Sequence, residues 1–212
     1  MFSIKNNNVA ILIMAAGGSS RLDSPKQLLK WGDDYLINHV INTAFEAGVG
    51  PIKLVLGCRS EEVRKVLSNK DIAVLINPAW QNGMSSSIKA GIAALDNDVD
   101  AALIMLVDQP FVSVDLLRLL AVKIGEKEIE IAAPRVAGQQ CNPVAFKRCL
   151  FPEMMDISGD RGAKALLKGR RVSWVDWPDE RLALDIDSWE DYQIALSLKE
   201  IQPSASSGLT SR

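Results

Sequence analysis

The feature of this sequence that most constrains its fold is a short apolar run that ends in small residues. The run is Val9–Met14, and it continues into Ala15, Ala16, Gly17, Gly18, Ser19 and Ser20. A buried strand that runs into such a loop leaves backbone N–H groups free to contact an anion. Two cations follow, Arg21 with a planar fork of donors and Lys26 with a point charge, and both suit phosphate. The segment therefore predicts a phosphate-binding loop after the first strand of an α/β domain.

The loop departs from the two best-known phosphate-loop patterns. In G-x-x-x-x-G-K-[ST] a hydroxyl residue follows the lysine, whereas Gln27 follows Lys26 here. In G-x-G-x-x-G the glycines are spaced, whereas Gly17 and Gly18 are adjacent and no third glycine follows. The small residues are also compatible with a tight turn that binds nothing, and we favour phosphate binding over that alternative.

Composition and charge exclude several classes of protein. The 212 residues are enough for one domain, and 48% hydrophobic with 24% charged residues is ordinary for a globular protein. A net charge of −2 gives no support to non-specific binding of nucleic acid or of a membrane surface. No apolar run is long enough to span a bilayer and no secretory signal is evident, so we expect a cytoplasmic protein.

The cysteines and the histidine limit the metal and redox chemistry. The three cysteines, Cys58, Cys141 and Cys149, match no zinc-binding spacing, and we expect them to be reduced thiols. His39 is the only histidine, which excludes a site built from two histidines. Its place in an apolar helical segment predicts a structural role.

Strand-like and helical segments alternate along the chain. Runs rich in Ile, Leu and Val predict strands at Val9–Met14, Ile52–Leu56, Ile72–Ile76, Ala101–Val107 and Ile129–Ala133. Helices are predicted between them at Tyr35–Ala47, Ser60–Leu67, Ser85–Leu95 and Ser113–Ile124. Ser60 and Ser113 are expected to cap their helices, and Gly48 to end the first. The alternation predicts a single-domain, doubly wound α/β fold with a mostly parallel, mixed sheet.

The pattern changes after Pro134. Further strands are expected at Asn142–Phe146, Arg171–Asp176 and Leu182–Ile186, with helices at Leu150–Met155, Arg161–Leu167 and Ser188–Leu198. Residues 202–212 contain four serines with a proline and a glycine, and we expect them to form a disordered tail.

Two carboxylates are predicted to lie at the edge of the sheet where the parallel strands end. Asp108 directly follows the run Ala101–Val107, and Asp187 follows Ile186 in the same manner. Ligands of open α/β sheets bind beyond this edge, and two neighbouring carboxylates suit one Mg²⁺ ion. The alternative is that they cap a turn or a helix, and this alternative is stronger for Asp187. Asp185 competes with Asp187 as the metal ligand, since alternation puts both side chains on one face.

Four motifs in this order resemble one family of enzymes. They are the loop AAGGSSRL with Pro25-Lys26, Asn77-Pro78-x-Trp80 with Gly83-Met84-Ser85-Ser86-Ser87, Val107-Asp108-Gln109-Pro110, and Leu184-Asp185-Ile186-Asp187. The loop resembles the signature of nucleotidyltransferases that activate sugars, isoprenoid precursors and molybdenum cofactors. Together the motifs resemble the molybdenum cofactor cytidylyltransferases, the MocA-like branch of the MobA-like NTP transferases, from about Val9 to about Leu196.

The resemblance implies a Rossmann-like nucleotidyltransferase fold that transfers CMP from CTP to the phosphate of a molybdopterin-type cofactor and releases pyrophosphate. It implies Lys26, Arg21 and Asp108 as catalytic residues and a Mg²⁺ cofactor on Asp108 and Asp187. The nucleotide-binding residues that it implies are Ala15, Ala16, Gly17, Gly18, Ser19, Ser20, Arg21, Lys26, Gly83, Ser85, Ser87 and Asp108. Within one domain of residues 1–201, residues 1–134 would be mainly the nucleotide-binding half and residues 135–201 mainly the acceptor half.

The acceptor region departs from the family pattern. Asn142, in the segment GQQCNPVAF, stands where relatives usually have histidine, which keeps a hydrogen-bonding side chain and loses a titratable one. The acceptor-binding residues that the resemblance implies are Asn142, Gly159, Asp160 and Arg161. The N–H groups that open this helix and Arg161 suit a phosphate, although Asp160 is also what a simple helix start prefers.

Several alternatives stay open on the sequence alone. A different base, or an isoprenoid or sugar phosphate as acceptor, would keep the same chemistry. A non-catalytic nucleotide-binding protein that assists the maturation of a molybdenum hydroxylase is compatible with Asn142, and such a hydroxylase is the expected recipient partner in either case. The start Ala15-Ala16-Gly17 and the segment Gly83–Ser87 favour the cytidylyl branch. Trp80 is expected to be a core anchor instead of a ligand.

Overall fold

Strands and helices alternate over most of the chain in the computed structural model, which describes residues 8–19, 22, 24–69, 72–159, 163 and 166–200. The strands are Val9–Ala15 (β1), Lys30–Trp31 (β2), Asp34–Tyr35 (β3), Ile52–Leu56 (β4), Ala73–Ile76 (β5), Ala101–Leu106 (β6), Ile131–Val136 (β7), Gln139–Gln140 (β8), Val144–Lys147 (β9) and Val172–Asp176 (β10). The α-helices are Leu36–Ala47 (α1), Ser60–Val66 (α2), Met84–Ala93 (α3), Val114–Ile124 (α4), Phe151–Asp156 (α5) and Trp189–Glu200 (α6). Short 3₁₀ turns lie at Lys26–Leu28, Trp80–Asn82, Arg148–Leu150 and Glu180–Ala183. None of the helices within the described ranges is long and apolar enough to cross a membrane.

Most strands join one mixed sheet, in the order β10-β7-β9-β6-β1-β4-β5, with β8 paired to β7. β1 runs parallel to β4 and to β6, and β5 extends this parallel region. β9 is antiparallel to both β6 and β7, whereas β10 is parallel to β7. β2 and β3 form a separate small hairpin. Because β1 and β6 are parallel neighbours, the segments that follow them emerge side by side at one edge of the sheet.

The core has two layers because helices cover both faces of the sheet. All seven residues of β1 are buried. Ile11 and Ile13 pack in a cluster with residues of α1 and α4, and Leu12 and Met14 pack in a second cluster with residues of α3 and α5. Successive side chains of a strand point to opposite faces, so a strand buried on both faces is apolar at every position. This explains the uninterrupted apolar run that begins at Val9.

The predicted fold class is confirmed, and so are two of the predicted helix ends. Ser113 caps α4, and its Oγ accepts a 3.2 Å hydrogen bond from Leu116 N. Gly48 ends α1 in the left-handed conformation, with φ 62°. The cap predicted at Ser60 is wrong, because the left-handed residue Arg59 precedes α2 and Ser60 is its first helical residue.

The strand predicted at Leu182–Ile186 is also wrong. Residues Glu180–Ala183 form a 3₁₀ turn, in which the Asp179 carboxylate accepts a 3.1 Å hydrogen bond from Arg181 N. Such a local bond from an aspartate stabilises a turn in place of a strand. The predicted helix at 161–167 falls largely outside the described residues, and the predicted tail at 202–212 falls wholly outside them.

Candidate active site

The predicted phosphate loop follows β1 at the carboxyl edge of the sheet. Ser19 has φ 51°, and its Oγ accepts a 2.9 Å hydrogen bond from Lys26 N. This bond joins the segment that follows β1 to the start of the turn Lys26–Leu28. Ser20 and Arg21, which the sequence also assigns to the loop, lie outside the described residues.

Lys26 lies between two carboxylates. Its side chain extends from the 3₁₀ turn that follows Pro25, and its Nζ is 2.9 Å from Oδ2 of Asp108. The same Nζ forms an ion pair with Oδ1 of Asp187. The structure therefore brings together the predicted catalytic residues Lys26 and Asp108 and the predicted metal ligand Asp187.

The charges of this cluster keep Lys26 protonated. Burial disfavours its charged form, but the negative charge of Asp108 and the hydrogen bonds to Asp187 and Asp108 outweigh that effect. The pKa of Lys26 is therefore raised above its ordinary value of 10.5. At neutral pH Lys26 is a fixed cation, suited to stabilise negative charge and not to accept a proton.

Asp185 and Asp187 make different contacts, although the sequence predicts that they share a face. Asp185 Oδ1 accepts a 2.7 Å hydrogen bond from Gln109 Nε2, whereas Asp187 contacts Lys26. The start of α6 explains the position of Asp187, because the carboxylate of Asp191 accepts hydrogen bonds from the backbone N–H groups of Asp187 (3.1 Å) and of the next residue (2.8 Å). The reciprocal bond from Asp191 N to Ser188 Oγ at 3.2 Å completes this helix start, and the carboxylate of Asp187 contacts Lys26 in the cluster.

The two carboxylates of the cluster fit a divalent cation. Oδ1 of Asp108 is buried and has no hydrogen-bond partner among the described residues. An unpartnered carboxylate oxygen is costly, and oxygen is the ligand that hard divalent cations prefer. Over the described ranges, no group of three or more His, Cys, Asp or Glu side chains could hold a metal by itself. A cation on Asp108 and Asp187 would therefore need phosphate and water oxygens as further ligands.

A cavity of about 470 Å³ opens beside the loop and the charged cluster, a volume that suits a small-molecule ligand. Its lining includes loop residues Ala15, Ala16, Gly17, Gly18 and Ser19, the charged residues Lys26, Asp108 and Asp187, and Trp80, Gly83 and Ser87. The cavity thus joins the predicted phosphate loop, the predicted metal ligands and part of the predicted base site in one space.

Two glycines allow Trp80 to pack against the loop. A Cβ on Gly57 would lie 2.6 Å from Trp80 Cβ and 2.8 Å from Ala16 O, and a Cβ on Gly18 would lie 3.1 Å from Trp80 Cζ3. In contrast, a Cβ on Gly17 would meet nothing within 4 Å. Trp80 therefore packs against the loop and forms a wall of the cavity, and because it is half-buried and faces this space, its predicted place in the core is wrong.

Asn77 organises the serines at the start of α3. Its Nδ2 donates hydrogen bonds to Ser86 Oγ at 2.8 Å and to Ser87 Oγ at 3.0 Å. Ser87 lines the cavity, whereas Ser85 is buried and is not part of the lining. Gly83 has φ 88°, which L side chains rarely adopt, and it lines the cavity directly before α3.

The predicted acceptor residues do not line this cavity within the described part of the chain. Asn142 is half-buried before β9, and Gly159 is exposed with φ 67°. Asp160 and Arg161 lie outside the described residues. The acceptor-binding role of these four residues therefore stays a prediction.

Two buried amides contact the site in roles that the sequence does not predict. Gln27 is 1% exposed and donates to backbone carbonyls of the loop, and Gln109 is 3% exposed and donates to Asp185. Each directly follows a charged residue that the sequence assigns to the site, Lys26 or Asp108, and precedes apolar residues. An amide side chain directly after a charged site residue is therefore the feature of the sequence that indicates their place near the site.

Comparison with known proteins gives similarity over most of the chain. A family described as the MobA-like NTP transferase domain matches residues 11–175. A nicotine blue oxidoreductase of Paenarthrobacter nicotinovorans is 31% identical over 189 residues, which are 84% of this chain and 92% of that protein. A molybdenum cofactor cytidylyltransferase of Escherichia coli is 27% identical over 183 residues, which are 85% of this chain and 92% of that protein.

Solved structures share the fold. The crystal structure of Rv0371c from Mycobacterium tuberculosis aligns with a TM-score of 0.80 and 30% identity, over 90% of this chain and 98% of that chain. The complex of Rv0371c with manganese aligns with a TM-score of 0.75 and 28% identity, over the same shares of the two chains. Since the family match extends over more than half of the sequence, this chain belongs to the MobA-like NTP transferase family and is a nucleotidyltransferase.

Proposed function

We propose that this nucleotidyltransferase transfers CMP from CTP to the phosphate of a molybdopterin-type cofactor and releases pyrophosphate. The observation that carries the proposal is the position of Lys26, which lines the cavity beside the Gly-rich loop and bonds to both Asp108 and Asp187. The choice of base and acceptor is supported by the similarity to a molybdenum cofactor cytidylyltransferase.

The proposed chemistry is an in-line displacement at the α-phosphorus of the nucleotide. An oxygen of the acceptor phosphate forms a bond to this phosphorus. The bond from the phosphorus to the oxygen that bridges it to the β-phosphate breaks, and pyrophosphate leaves with that electron pair. The acceptor phosphate is already ionised at neutral pH, so no strong general base is needed. Catalysis then depends on positioning and on charge stabilisation.

The chain's residues have separate roles in this proposal. The backbone N–H groups of residues 17–20 and the side chain of Arg21 hold the triphosphate, with Ser20 and Arg21 assigned from the sequence alone. Lys26 stabilises the negative charge that develops on the α-phosphate and on the leaving pyrophosphate. Its raised pKa keeps it charged throughout the neutral range.

We propose Mg²⁺ as the cofactor, held by Asp108 and Asp187. The unpartnered Oδ1 of Asp108 supports a cation at this position. The manganese complex of Rv0371c supports a divalent metal as the cofactor. When bound, such a cation would act as a Lewis acid and neutralise part of the charge of the phosphates.

The two substrates are assigned to different parts of the domain. The base is assigned to Gly83 and Ser87, which line the cavity, in the nucleotide-binding half, residues 1–134. The acceptor is assigned to the half formed by residues 135–201, and its proposed contacts are Asn142, Gly159, Asp160 and Arg161. A molybdenum hydroxylase is the proposed recipient of the product.

The test is pyrophosphate release from CTP, GTP and ATP with Mg²⁺, with and without a molybdopterin-type acceptor. The proposal predicts release that requires CTP and the acceptor together. Acceptor-dependent release with GTP or ATP would overturn the cytidylyl assignment and keep the reaction class. Pyrophosphate release with an isoprenoid or sugar phosphate as acceptor, and none with the molybdopterin-type acceptor, would overturn the molybdopterin assignment.

A second candidate function is the reduction of nicotine blue, which the relative named nicotine blue oxidoreductase suggests. The same preparation is incubated with nicotine blue and a reduced nicotinamide or flavin cofactor, and the loss of colour is followed. Reduction of the dye without any pyrophosphate release would replace the proposed function. Nucleotide binding without release and without dye reduction would favour a non-catalytic accessory protein.

A further inference from the structure

Gln27 is buried against the Gly-rich loop. It follows Lys26 in the 3₁₀ turn Lys26–Leu28, yet the two side chains have different partners. Lys26 contacts the carboxylates of the cluster, whereas Gln27 is 1% exposed and contacts the backbone of the loop. One short turn therefore fixes both the cation and the loop.

The carbonyl groups of the loop are held by donors from the protein. Gln27 Nε2 donates to Ala15 O at 2.6 Å and to Gly17 O at 3.3 Å. The carbonyl between them, Ala16 O, accepts a 3.0 Å hydrogen bond from Cys58 N. Three successive carbonyls, starting at the last residue of β1, thus accept hydrogen bonds, and Gln27 donates to two of them.

Because the peptide group is planar, the hydrogen bonds to these carbonyls also fix the direction of the N–H groups of the same peptides. In a trans peptide the C=O of one residue and the N–H of the next point in opposite directions. Because Gln27 binds Ala15 O and Gly17 O, the N–H groups of Ala16 and Gly18 point away from Gln27. Gly17 and Gly18 lack side chains that would cover these groups, and all of these residues line the cavity.

We propose that Gln27 is a positioning residue, which orients the loop N–H groups toward the triphosphate of the nucleotide. This inference rests on the proposed binding of a nucleotide by the loop. The side chain must be a neutral donor in this role, since a carboxylate would repel both carbonyls. Its own Oε1 is buried without a hydrogen-bond partner among the described residues, a cost that the two donated bonds offset.

The test uses inorganic tripolyphosphate as the probe, because it carries the phosphate chain without base or ribose. Binding to wild type, Gln27→Met and Gln27→Glu is measured by calorimetry. Both variants are expected to lose about tenfold or more in tripolyphosphate affinity. The KM for the nucleotide should rise by a similar factor, while kcat changes less, because the loop acts in binding.

Asn38 supplies the matched control. It is another amide that is 1% exposed, and its Nδ2 donates to Val66 O at 2.8 Å, away from the cavity lining. Asn38→Leu should lower thermal stability as Gln27→Met does and leave tripolyphosphate affinity within about twofold of wild type. Equal losses of affinity in the two variants would show a general effect of destabilisation and overturn the positioning role.

A measurement on wild type keeps the inference testable if the variants do not fold. In an amide NMR titration with tripolyphosphate, the largest shifts are expected at the N–H groups of Ala16 and Gly18. The positioning role of Gln27 is overturned if wild type binds tripolyphosphate and these two resonances do not move. It is also overturned if Gln27→Met binds tripolyphosphate as well as wild type does. In both cases the proposed nucleotide site is retained. If wild type does not bind tripolyphosphate at all, the proposed nucleotide site fails with it.

Discussion

The ammonium of Lys26 lies 2.9 Å from Oδ2 of Asp108, although 82 residues separate them in the sequence. The sheet explains this contact. β1 and β6 are adjacent and parallel, with Met14 opposite Leu106, so the loop after β1 and the residue after β6 emerge together. Two adjacent buried strands therefore fix the segments that carry the cation and the carboxylate, which is what preorganised charge stabilisation requires.

The contacts of Asp187 and Asp185 predict which of them holds the metal. Asp187→Asn should weaken Mn²⁺ binding in the presence of nucleotide by about tenfold or more, because it removes a carboxylate of the charged cluster. Asp185→Asn should change it by less than about twofold, since Asp185 accepts a hydrogen bond from Gln109 instead. The measurement is the electron paramagnetic resonance signal of free Mn²⁺. The reverse order of the two effects would assign the metal to Asp185.

The buried amide of Asn77 predicts a defect confined to the nucleoside end of the substrate. Asn77→Asp keeps the shape but cannot donate to Ser86 and Ser87, so the affinity for CTP should fall about tenfold. The affinity for tripolyphosphate should stay unchanged, in contrast to the Gln27 variants. Calorimetry measures both, with the exposed Asn97→Asp as the control. An equal loss for both ligands would mean that Asn77 supports the whole site.

The contact between Gly57 and Trp80 predicts a stability defect. In Gly57→Ala the new Cβ would lie 2.6 Å from Trp80 Cβ and 2.8 Å from a backbone oxygen, so the free energy of unfolding should fall by about 1–3 kcal/mol. Gly17→Ala meets nothing within 4 Å and should change it by less than about 0.5 kcal/mol. Urea denaturation compares the two, and a Gly57→Ala protein as stable as Gly17→Ala would contradict the packing described for Trp80.

His39 predicts a loss of stability in mild acid. Burial lowers its pKa below the ordinary value of 6.5, despite the 2.7 Å hydrogen bond that its Nε2 donates to Pro110 O. The folded protein thus favours the neutral ring, and this contribution is present above pH 6.5 and is lost as the pH falls toward the folded pKa. His39→Gln keeps a donor without a charge. Its melting temperature should therefore fall less than that of wild type between about pH 7.5 and about pH 5.5, and equal falls would contradict this account of His39.

The sequence predicts the part of the site that depends on strand ends. An apolar run followed by small residues locates the loop, and an aspartate after another such run locates Asp108, because both runs are buried on two faces. The contacts of Asp187 could not be predicted in this way. They depend on a 3₁₀ turn stabilised by Asp179 and on the Asp191 carboxylate at the start of α6, not on strand alternation. The amide directly after Lys26 indicates that Gln27 lies near the site, but its role depends on the direction of two carbonyl groups, and the sequence does not give that direction.

The measurement that tests the central claim most directly is the steady-state kinetics of Lys26→Ala. Because Lys26 is proposed to stabilise charge that develops only in the transition state, kcat should fall about 100-fold or more. The KM for the nucleotide should change by less than about threefold. Lys123→Ala, which removes a surface lysine paired with Glu126, should match wild type. A Lys26→Ala enzyme with unchanged kcat would contradict the account.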